Sequence, residues 1–320
     1  MALDFSVILT VGYKEVPGGN DISMERIHSF TFHKEFYIPY TSLRIKIPYH
    51  TSSFIGYPKR VRFYFGTKLI HDGLIDTAVH KKDKNFRGIE ITSKGFTSEL
   101  LRNQITPGLY TNVTFDSLMS DKIPFKNITW EIKGNESKNY VYVTRGSSFF
   151  DALVAFCTKN YARYPYVYGA NKLMFTPNPN PPSILIKGNE ICAFGQEYDF
   201  RRLVSKLNMS DIDGNYDAFS RTNTIADNIG LVRYNKFDLD RTFLNNPSDA
   251  LKFREYFTNR KRSSQFVEYY GYKGEDLNDY ITVSQTGMML SKRINEITIT
   301  AEPGIVRTKD YSYYDSFCNT

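Results

Sequence analysis

The stretch Phe86–Phe115, FRGIEITSKGFTSELLRNQITPGLYTNVTF, decides the fold. A strand ends inside it and helical signals begin near Thr97. Thr97, Ser98 and Glu99 precede the apolar pair Leu100 and Leu101, and Pro107-Gly108 stops the segment. Thr114 opens a second short helix, its hydroxyl placed to cap the amide of Ser117 or a neighbour, with Pro124 as the far bound. An alternating strand, NYVYVTRG at 139–146, follows, then the helix SSFFDALVAFCTKNY at 147–161 and a hairpin, YVYGANKLMF, at 166–175. In that helix Ser148 and Asp151 have capping-box spacing. Phe149, Leu153, Cys157 and Tyr161 recur every fourth residue beside Phe150 and Val154, which makes one wide apolar stripe.

Working outward, the first hundred residues read as strands. Phe5, Val7, Leu9 and Val11 share one face, as do Leu43, Ile45 and Ile47, and again Val61, Phe63 and Phe65. Turns are expected at PGGN 17–20, at Gly56 and Gly66, and at His71-Asp72-Gly73. Short strands at this spacing suggest a sandwich or barrel. Past the hairpin, which turns at Gly169-Ala170-Asn171, the segment TPNPNPP at 176–182 is a boundary loop, because proline lacks the donor a central strand needs. Strands are expected at 184–187, 203–209, 229–234, 280–284 and 294–300. Between them Asn246-Pro247 starts a helix that turns Ala250, Phe253 and Phe257 inward and ends on Arg260, Lys261 and Arg262, which suit the negative end of its dipole. No repeat of 20–50 residues is present.

Composition agrees with a β-rich chain of two or three domains. Of its 320 residues 41% are hydrophobic, enough for real cores, and 15% are aromatic, including 24 Tyr and 24 Phe. Tyr fits strands and contact surfaces because it buries a ring and keeps a polar tip. The net charge of +7 comes from basic residues interleaved with 34 acids, which reads as a solvated surface and not as a basic arm. Cys157, Cys192 and Cys318 form neither a CxxC nor an even set, so a disulfide framework or thiolate metal site is not expected. Cys157 lies among apolar helix residues and reads as a buried thiol, in keeping with a reducing cytosol. The N-terminal MALDFSVILTVGYK lacks the basic start of a signal peptide, and no run is long enough to span a membrane. The sequons at Asn112, Asn127, Asn135 and Asn208 are then without meaning.

The search for chemistry assigns no catalytic, cofactor-binding or metal-binding residue and no cofactor. His28, His33, His50, His71 and His80 make no HExxH, and His28 and His33 would face opposite sides of a strand. Asp211–Asp217, DIDGNYD, has its glycine fourth and Thr222 at position twelve, so it reads as a polar turn and not as an EF-hand loop. GxGxxG, GxxxxGK[ST] and GxSxG are absent. The carboxylate pairs Glu197/Asp199 and Glu275/Asp276 read as structural. Lys81, Lys82 and Lys84 look like a hairpin tip, Arg201 and Arg202 form a second basic cluster, and Arg260–Arg262 a helix end.

Taken in order, the strands, then GFTSELLRNQ, YTNVTFDSLMSDKI, VYVTRGSSFFDALVAFCTKN and KLMFTPNP, resemble the baseplate hub proteins of contractile and long-tailed phages, the late-control-protein-D-like family. Lys94-Gly95-Phe96 with Ser98–Leu101, Tyr110–Ser117, Gly146–Tyr161 and Tyr166–Phe175 carry the likeness. So does Gly274-Glu275-Asp276-Leu277 before Tyr280–Val283, where Asn278-Asp279 replaces a Pro-Gly turn. The resemblance covers about residues 60–300 and rests on element order.

It implies a mainly β (α+β) fold. Two β-barrel domains, at 1–105 and 189–320, would flank an α/β middle domain at 106–188, with a helix inserted in the second barrel and the barrels free to be discontinuous in sequence. It also implies a structural hub. A homotrimer would form a pseudo-hexameric ring joining a six-fold tail tube to a three-fold central spike, which would be a separate protein because no needle domain precedes Thr320. Partners would be the tail tube ring, the spike, baseplate wedge proteins and a tape measure protein, with nucleic acid at most passing through the lumen. Such a ring is assembled in the bacterial cytoplasm and ends in a virion or an extracellular bacteriocin-like particle. Two other readings are a tail-associated peptidoglycan hydrolase, for which no catalytic motif is found, and a carbohydrate-binding β-protein, suggested only by the aromatic content.

Overall fold

The computed structural model describes residues 4–13, 16–24, 26–49, 56–120, 125–131, 138–243, 246–285 and 288–314. Pro124, Asn135, His50 and Cys318 lie outside them. The N-terminal strands are β1 (Phe5–Tyr13), β2 (Val16–Met24), β3 (Ser29–Glu35), β4 (Ser42–Pro48), β5 (Tyr57–Phe65), β6 (Lys68–Lys82) and β7 (Arg87–Gly95). Their alternation is as the sequence implies: Val7, Leu9, Leu43, Ile45, Ile47, Val61 and Phe63 are buried. The sheet curls, so that Phe5 of β1 and Phe63 of β5 meet Phe30 of β3 across the core, with ring centroids 4.9 and 4.8 Å from it.

Two expected turns are strand instead. PGGN 17–20 lies within β2, paired to β1. His71-Asp72-Gly73 lies within β6, because its polar groups find partners in the core. The His71 ring bridges the hydroxyls of Thr41 and Ser93 at 2.7 and 2.9 Å, and burial pushes its pKa down to about 3, so it stays neutral. Asp72 takes a bidentate pair from Arg60, both at 2.6 Å. At Gly73 a Cβ would lie 2.0 Å from the carbonyl oxygen of Lys94, so only glycine lets β6 and β7 approach there.

The middle segment begins with a 3₁₀ turn at Phe96–Ser98 and α1 (Glu99–Arg102). It continues with β8 (Gly108–Val113), α2 (Phe115–Ser120), β9 (Thr129–Trp130), β10 (Lys138–Val143), α3 (Phe149–Tyr161), β11 (Tyr166–Tyr168) and β12 (Lys172–Met174). The Ser117 amide donates to Thr114 Oγ1 at 3.0 Å, and Ser148 and Asp151 form the full capping box of α3. The α3 stripe buries Phe149, Phe150, Leu153 and Cys157, and also Phe156, which lies off the four-residue period.

The last segment contains β13 (Ser183–Lys187), β14 (Ile191–Tyr198), β15 (Lys206–Met209), β16 (Phe219–Thr222), α4 (Thr224–Asn228), β17 (Tyr234–Phe237) and α5 (Pro247–Asn259). It ends with β18 (Ser263–Tyr270), β19 (Tyr280–Gln285), β20 (Met288–Arg293), β21 (Glu296–Glu302) and β22 (Ile305–Tyr313). The strand expected at 229–234 is mostly not one. α4 takes the residues before it, Gly230 ends that turn at φ 72°, and the strand starts at Tyr234. β15, β16 and β17 with α5 enclose their own small core of Val204, Leu207, Met209, Ala250 and Leu251.

One eleven-stranded sheet spans both ends of the chain, in the order β14-β18-β22-β21-β3-β4-β7-β6-β5-β1-β2. The expected mainly β fold is therefore present, and its N-terminal and C-terminal strands share one ladder through β3 and β21. The remaining strands form small sheets, among them β13-β19-β20, whose Ile186, Ile281 and Val283 join Val267, Ile297 and Ile299 in the main core.

Leu153 is fully buried at the centre of α3. Leu153→Asp is expected to cost roughly 4 kcal/mol or more by burying an unpaired charge, and so to abolish the cooperative thermal transition of the middle segment. A wild-type melting curve for that variant would contradict the placement of α3.

Candidate assembly surface and the buried joint behind it

Strand period builds the surface. From β14 to β6 the large sheet presents a core face of Val267, Ile299, Phe32, Ile45 and Ile91. The alternate residues form the opposite face. Phe266 and Glu268 stand opposite Tyr311 and Lys309, Thr298 and Thr300 opposite His33 and Thr31, and Arg44 and Lys46 opposite Thr92 and Glu90. That face is polar and of mixed sign, and Arg44 pairs with Glu90 on it.

Behind the wall a polar joint ties three parts of the chain together. Lys34 of β3 is buried and pairs with the equally buried Asp276. Its Nζ also donates to the Gly169 carbonyl at 2.7 Å, while the Gly169 amide donates to Asp276 Oδ2 at 2.7 Å. One ion pair thus clamps the N-terminal strands, the β11–β12 turn and the segment before β19. Desolvation holds the Lys34 ammonium below its usual range, opposed by the Asp276 charge. Lys68 Nζ donates to the Gly274 carbonyl at 2.6 Å. Across the β3–β21 ladder Glu35 lies directly opposite Glu296, a like-charge pair that would repel. Lys261 sits between them, 2.9 Å from one carboxylate and 3.2 Å from the other. The basic end of α5 is thus structural: Arg260 stacks 3.7 Å from the Phe257 ring centre and faces Tyr37.

Aromatic rings complete the joint. Tyr37 meets Tyr164 at 5.0 Å and Phe257 at 5.9 Å, and Phe36 stacks on Tyr166 at 5.0 Å. Part of the aromatic content that composition assigns to contact surfaces is spent inside the chain, because residues far apart in sequence converge there.

The sequence reads Glu275 as structural but gives no sign of its buried partners Asp310 and Tyr269. Glu275, Asp310 and Tyr269 are all buried, with the Tyr269 hydroxyl donating to Glu275. The signal lay in Gly274–Leu277, which the element order singled out without a chemical reason. Burial pushes Glu275 up to about 7 and Asp279 up to about 6, the second also by its neighbour Asp276. Asp310 is driven up too, by burial first and then by the Glu275 charge.

The other acids singled out in the sequence do not converge. Glu197 accepts from the Tyr311 hydroxyl at 3.1 Å, and Asp199 is held down to about 2 by Arg201. Asp211 accepts the Asp213 and Asn215 amides at 3.0 and 2.8 Å, as a polar turn should. Two adjoining clefts, of about 590 and 760 Å³, separate β10 and α3 from the β15–β17 insertion. Their acids are engaged: Asp151 caps α3, Asp238 accepts from Tyr216, and Asp240 accepts the Thr242 amide at 3.0 Å. Among the described residues no cluster of His, Cys, Asp and Glu is arranged to hold a metal, and no helix is long and apolar enough to cross a membrane.

The raised acids set a pH dependence. Folded Glu275, Asp279 and Asp310 keep protons at pH values where the unfolded chain has lost them. Their contribution to stability is therefore full at low pH and is lost as pH rises from the ordinary carboxylate range through about 7. Asp199, shifted the other way, acts only below that window, while His71, held neutral by burial, contributes stability that grows as pH rises through the ordinary imidazole range and so offsets part of the acids' effect. Urea midpoints followed through the single Trp130 are expected to fall between pH 5 and pH 8. Glu275→Gln, which keeps an acceptor for Tyr269, should remove roughly 3 kcal/mol of that slope. An unchanged slope would show that Glu275 titrates as it does in water.

No protein-family model matches the chain, and no curated protein matches its sequence. Solved structures do match. The tail protein of Neisseria meningitidis MC58 superimposes with a TM-score of 0.69 at 13% identity, over 97% of this chain and 96% of that one. The 43 kDa tail protein of prophage MuSo2 from Shewanella oneidensis gives 0.67 at 14%, over 98% and 99%. A component of the Escherichia coli type VI secretion system, itself described as similar to phage tail proteins, gives 0.53 at 8%, over 89% of this chain and 73% of that one. The chain is thus similar in fold, along nearly its whole length, to phage tail proteins.

Proposed function

We propose that this chain is a structural baseplate hub of a phage tail or a phage-derived contractile particle. Three copies form a pseudo-hexameric ring that joins a six-fold tail tube to a three-fold central spike. The observation that carries this reading is the division of the wall. The C-terminal strands supply β14, β18, β22 and β21, and the N-terminal strands supply β3, β4, β7 and β6, four from each side of one ladder. Counted as far as β6, beyond which β5, β1 and β2 continue the sheet, each copy brings two four-stranded units, and three copies bring six, which matches six-fold to three-fold symmetry. The fold shared with tail proteins supports the same reading.

In the ring the polar face of the wall lines the axis. Its threonines and interleaved charges, with Arg44 neutralised by Glu90, offer a wetted surface without the one-sign field that would grip a polyanion, so nucleic acid passes and does not stay. The domains are a first β-barrel at 1–105, an α/β middle domain at 106–188 and a second β-barrel at 189–320 with an inserted helix. Partners are the tail tube ring, the spike, wedge proteins and a tape measure protein. The ring assembles in the bacterial cytoplasm and leaves in a virion or an extracellular particle. No bond-breaking step is assigned, in keeping with the structural engagement of the acids at the clefts.

Light scattering after size-exclusion chromatography is expected to give three times the 37.1 kDa chain mass, and electron microscopy a ring with an open centre. A single-copy mass at the highest soluble concentration, or release of label from peptidoglycan by the purified chain, would overturn the proposal.

A further inference from the structure

The buried joint holds the parts of a bond-forming reaction. Lys34 and Asp276 touch through Nζ and Oδ1, with side chains only 3% and 4% exposed. On a wet surface such a pair stays fully ionised and inert. Here burial lowers the pKa of the Lys34 ammonium against the pull of Asp276, and the charge of Lys68 pushes the same way as burial. A desolvated lysine beside another cation reaches its free amine more readily, and the free amine is a nucleophile. The Tyr168 ring, centred 5.9 Å from Nζ, adds an apolar wall.

The carboxyl carbon of Asp276 is one bond beyond the oxygen that Nζ touches. Its Oδ2 accepts the Gly169 amide and its Oδ1 the Leu277 amide, both at 2.7 Å. Backbone amides fixed on a carboxyl polarise it and hold the oxyanion that an attacking nitrogen creates. A third group is suited to carry protons. Asp279 is buried, and its Oδ2 accepts the Asp276 amide at 2.7 Å. Among the described residues no donor reaches its Oδ1. Burial and the Asp276 charge push Asp279 up to about 6, so it takes and returns protons near neutral pH. Its charge and that of Lys34 act on each other directly.

We propose that Lys34 and Asp276 condense in the folded chain to an amide cross-link. Ammonium and carboxylate become one amide and one water, so atoms and charge balance without an oxidant, reductant or co-reactant. Asp279 moves two protons in turn from Nζ to Oδ1. Nζ bonds to Cγ of Asp276, Oδ2 carries the transient negative charge against the Gly169 amide, and the Cγ–Oδ1 bond breaks as water leaves. The amide keeps one N–H on Nζ and keeps Oδ2, the two atoms that Gly169 already engages. The step is a single change in the chain itself and not a reaction on a substrate. It ties β3 to the segment before β19 across 242 residues, and closing so long a loop restricts the unfolded chain. The inference stands on the joint alone and is independent of the ring reading.

Mass spectrometry of the intact, denatured 37.1 kDa chain is expected to fall one water short of the sequence mass, with or without Met1. Peptide mapping should give a branched peptide joining Lys34 to Asp276, and the looped chain should run ahead of its variants on a reducing denaturing gel. Lys34→Arg keeps a cation opposite Asp276 but lacks the amine, so it should fold, show its full mass and run more slowly. Asp279→Asn keeps an acceptor for the Asp276 amide but not the proton carrier, and should leave most freshly made chain at full mass. A succinimide at an aspartate would lose the same water, but it gives no branched peptide and persists in Lys34→Arg. A wild-type chain that melts cooperatively yet keeps its full mass after prolonged incubation at neutral pH would overturn the proposal. So would a water loss that survives Lys34→Arg. Cross-linking of Asp279→Asn at the wild-type rate would overturn the role of Asp279.

Discussion

The β3–β21 ladder is the constraint on which the other features depend. Six backbone pairs, from Glu296↔Glu35 to Ala301↔Phe30, turn strands from opposite ends of the chain into one surface. Without them the N-terminal sheet would end at β3 and the C-terminal sheet at β21, with no fixed angle between. The ladder alone would carry a fault, because it sets two glutamates face to face. Lys261 corrects the fault, and the Lys34–Asp276–Gly169 clamp fixes the middle segment to the same seam.

Burying ions at this seam is costly. An apolar replacement of matched shape would often be as stable, because desolvation consumes most of the Coulomb gain. What the ions add is directionality. The amide and carbonyl of Gly169 meet the carboxylate and ammonium in one arrangement only, whereas apolar surfaces slide. In the proposed ring, where each subunit would repeat the same angle around an axis, a rigid joint would matter more than extra stability. The neutral His71, held between two hydroxyls within β6, serves the same end in the N-terminal sheet.

Much of this was legible in the sequence and some was not, for physical reasons. Period two identified the core face of β1, β4 and β5, since alternation is a local property of a half-buried strand. The capping box of Ser148 and Asp151 was readable because cap and helix are neighbours. Polar triplets misled where a tertiary partner existed: His71-Asp72-Gly73 looks like a turn until Thr41, Ser93 and Arg60 are supplied by distant strands. The joint itself could not be read: Asp276 stands in the Gly274–Leu277 motif and reads as structural, but its partner Lys34 lies 242 residues away and nothing local links the two. Arg260 and Lys261 invited a helix-dipole reading that local sequence favours, yet rings and carboxylates from β3, β21 and the segment after β3 claim them.

The same ladder has a cost in time. His33 and Thr298, opposite each other in it, are separated by 265 residues. During synthesis β3 therefore emerges long before β21 exists, and one of its backbone margins stays uncovered until β21 follows. A half-made chain is a sticky one, and crowded polysomes would let nascent β3 margins find each other. Acquisition of the native state therefore waits on β21, and a chaperone that shields β3 in the interval would raise the yield of finished subunits.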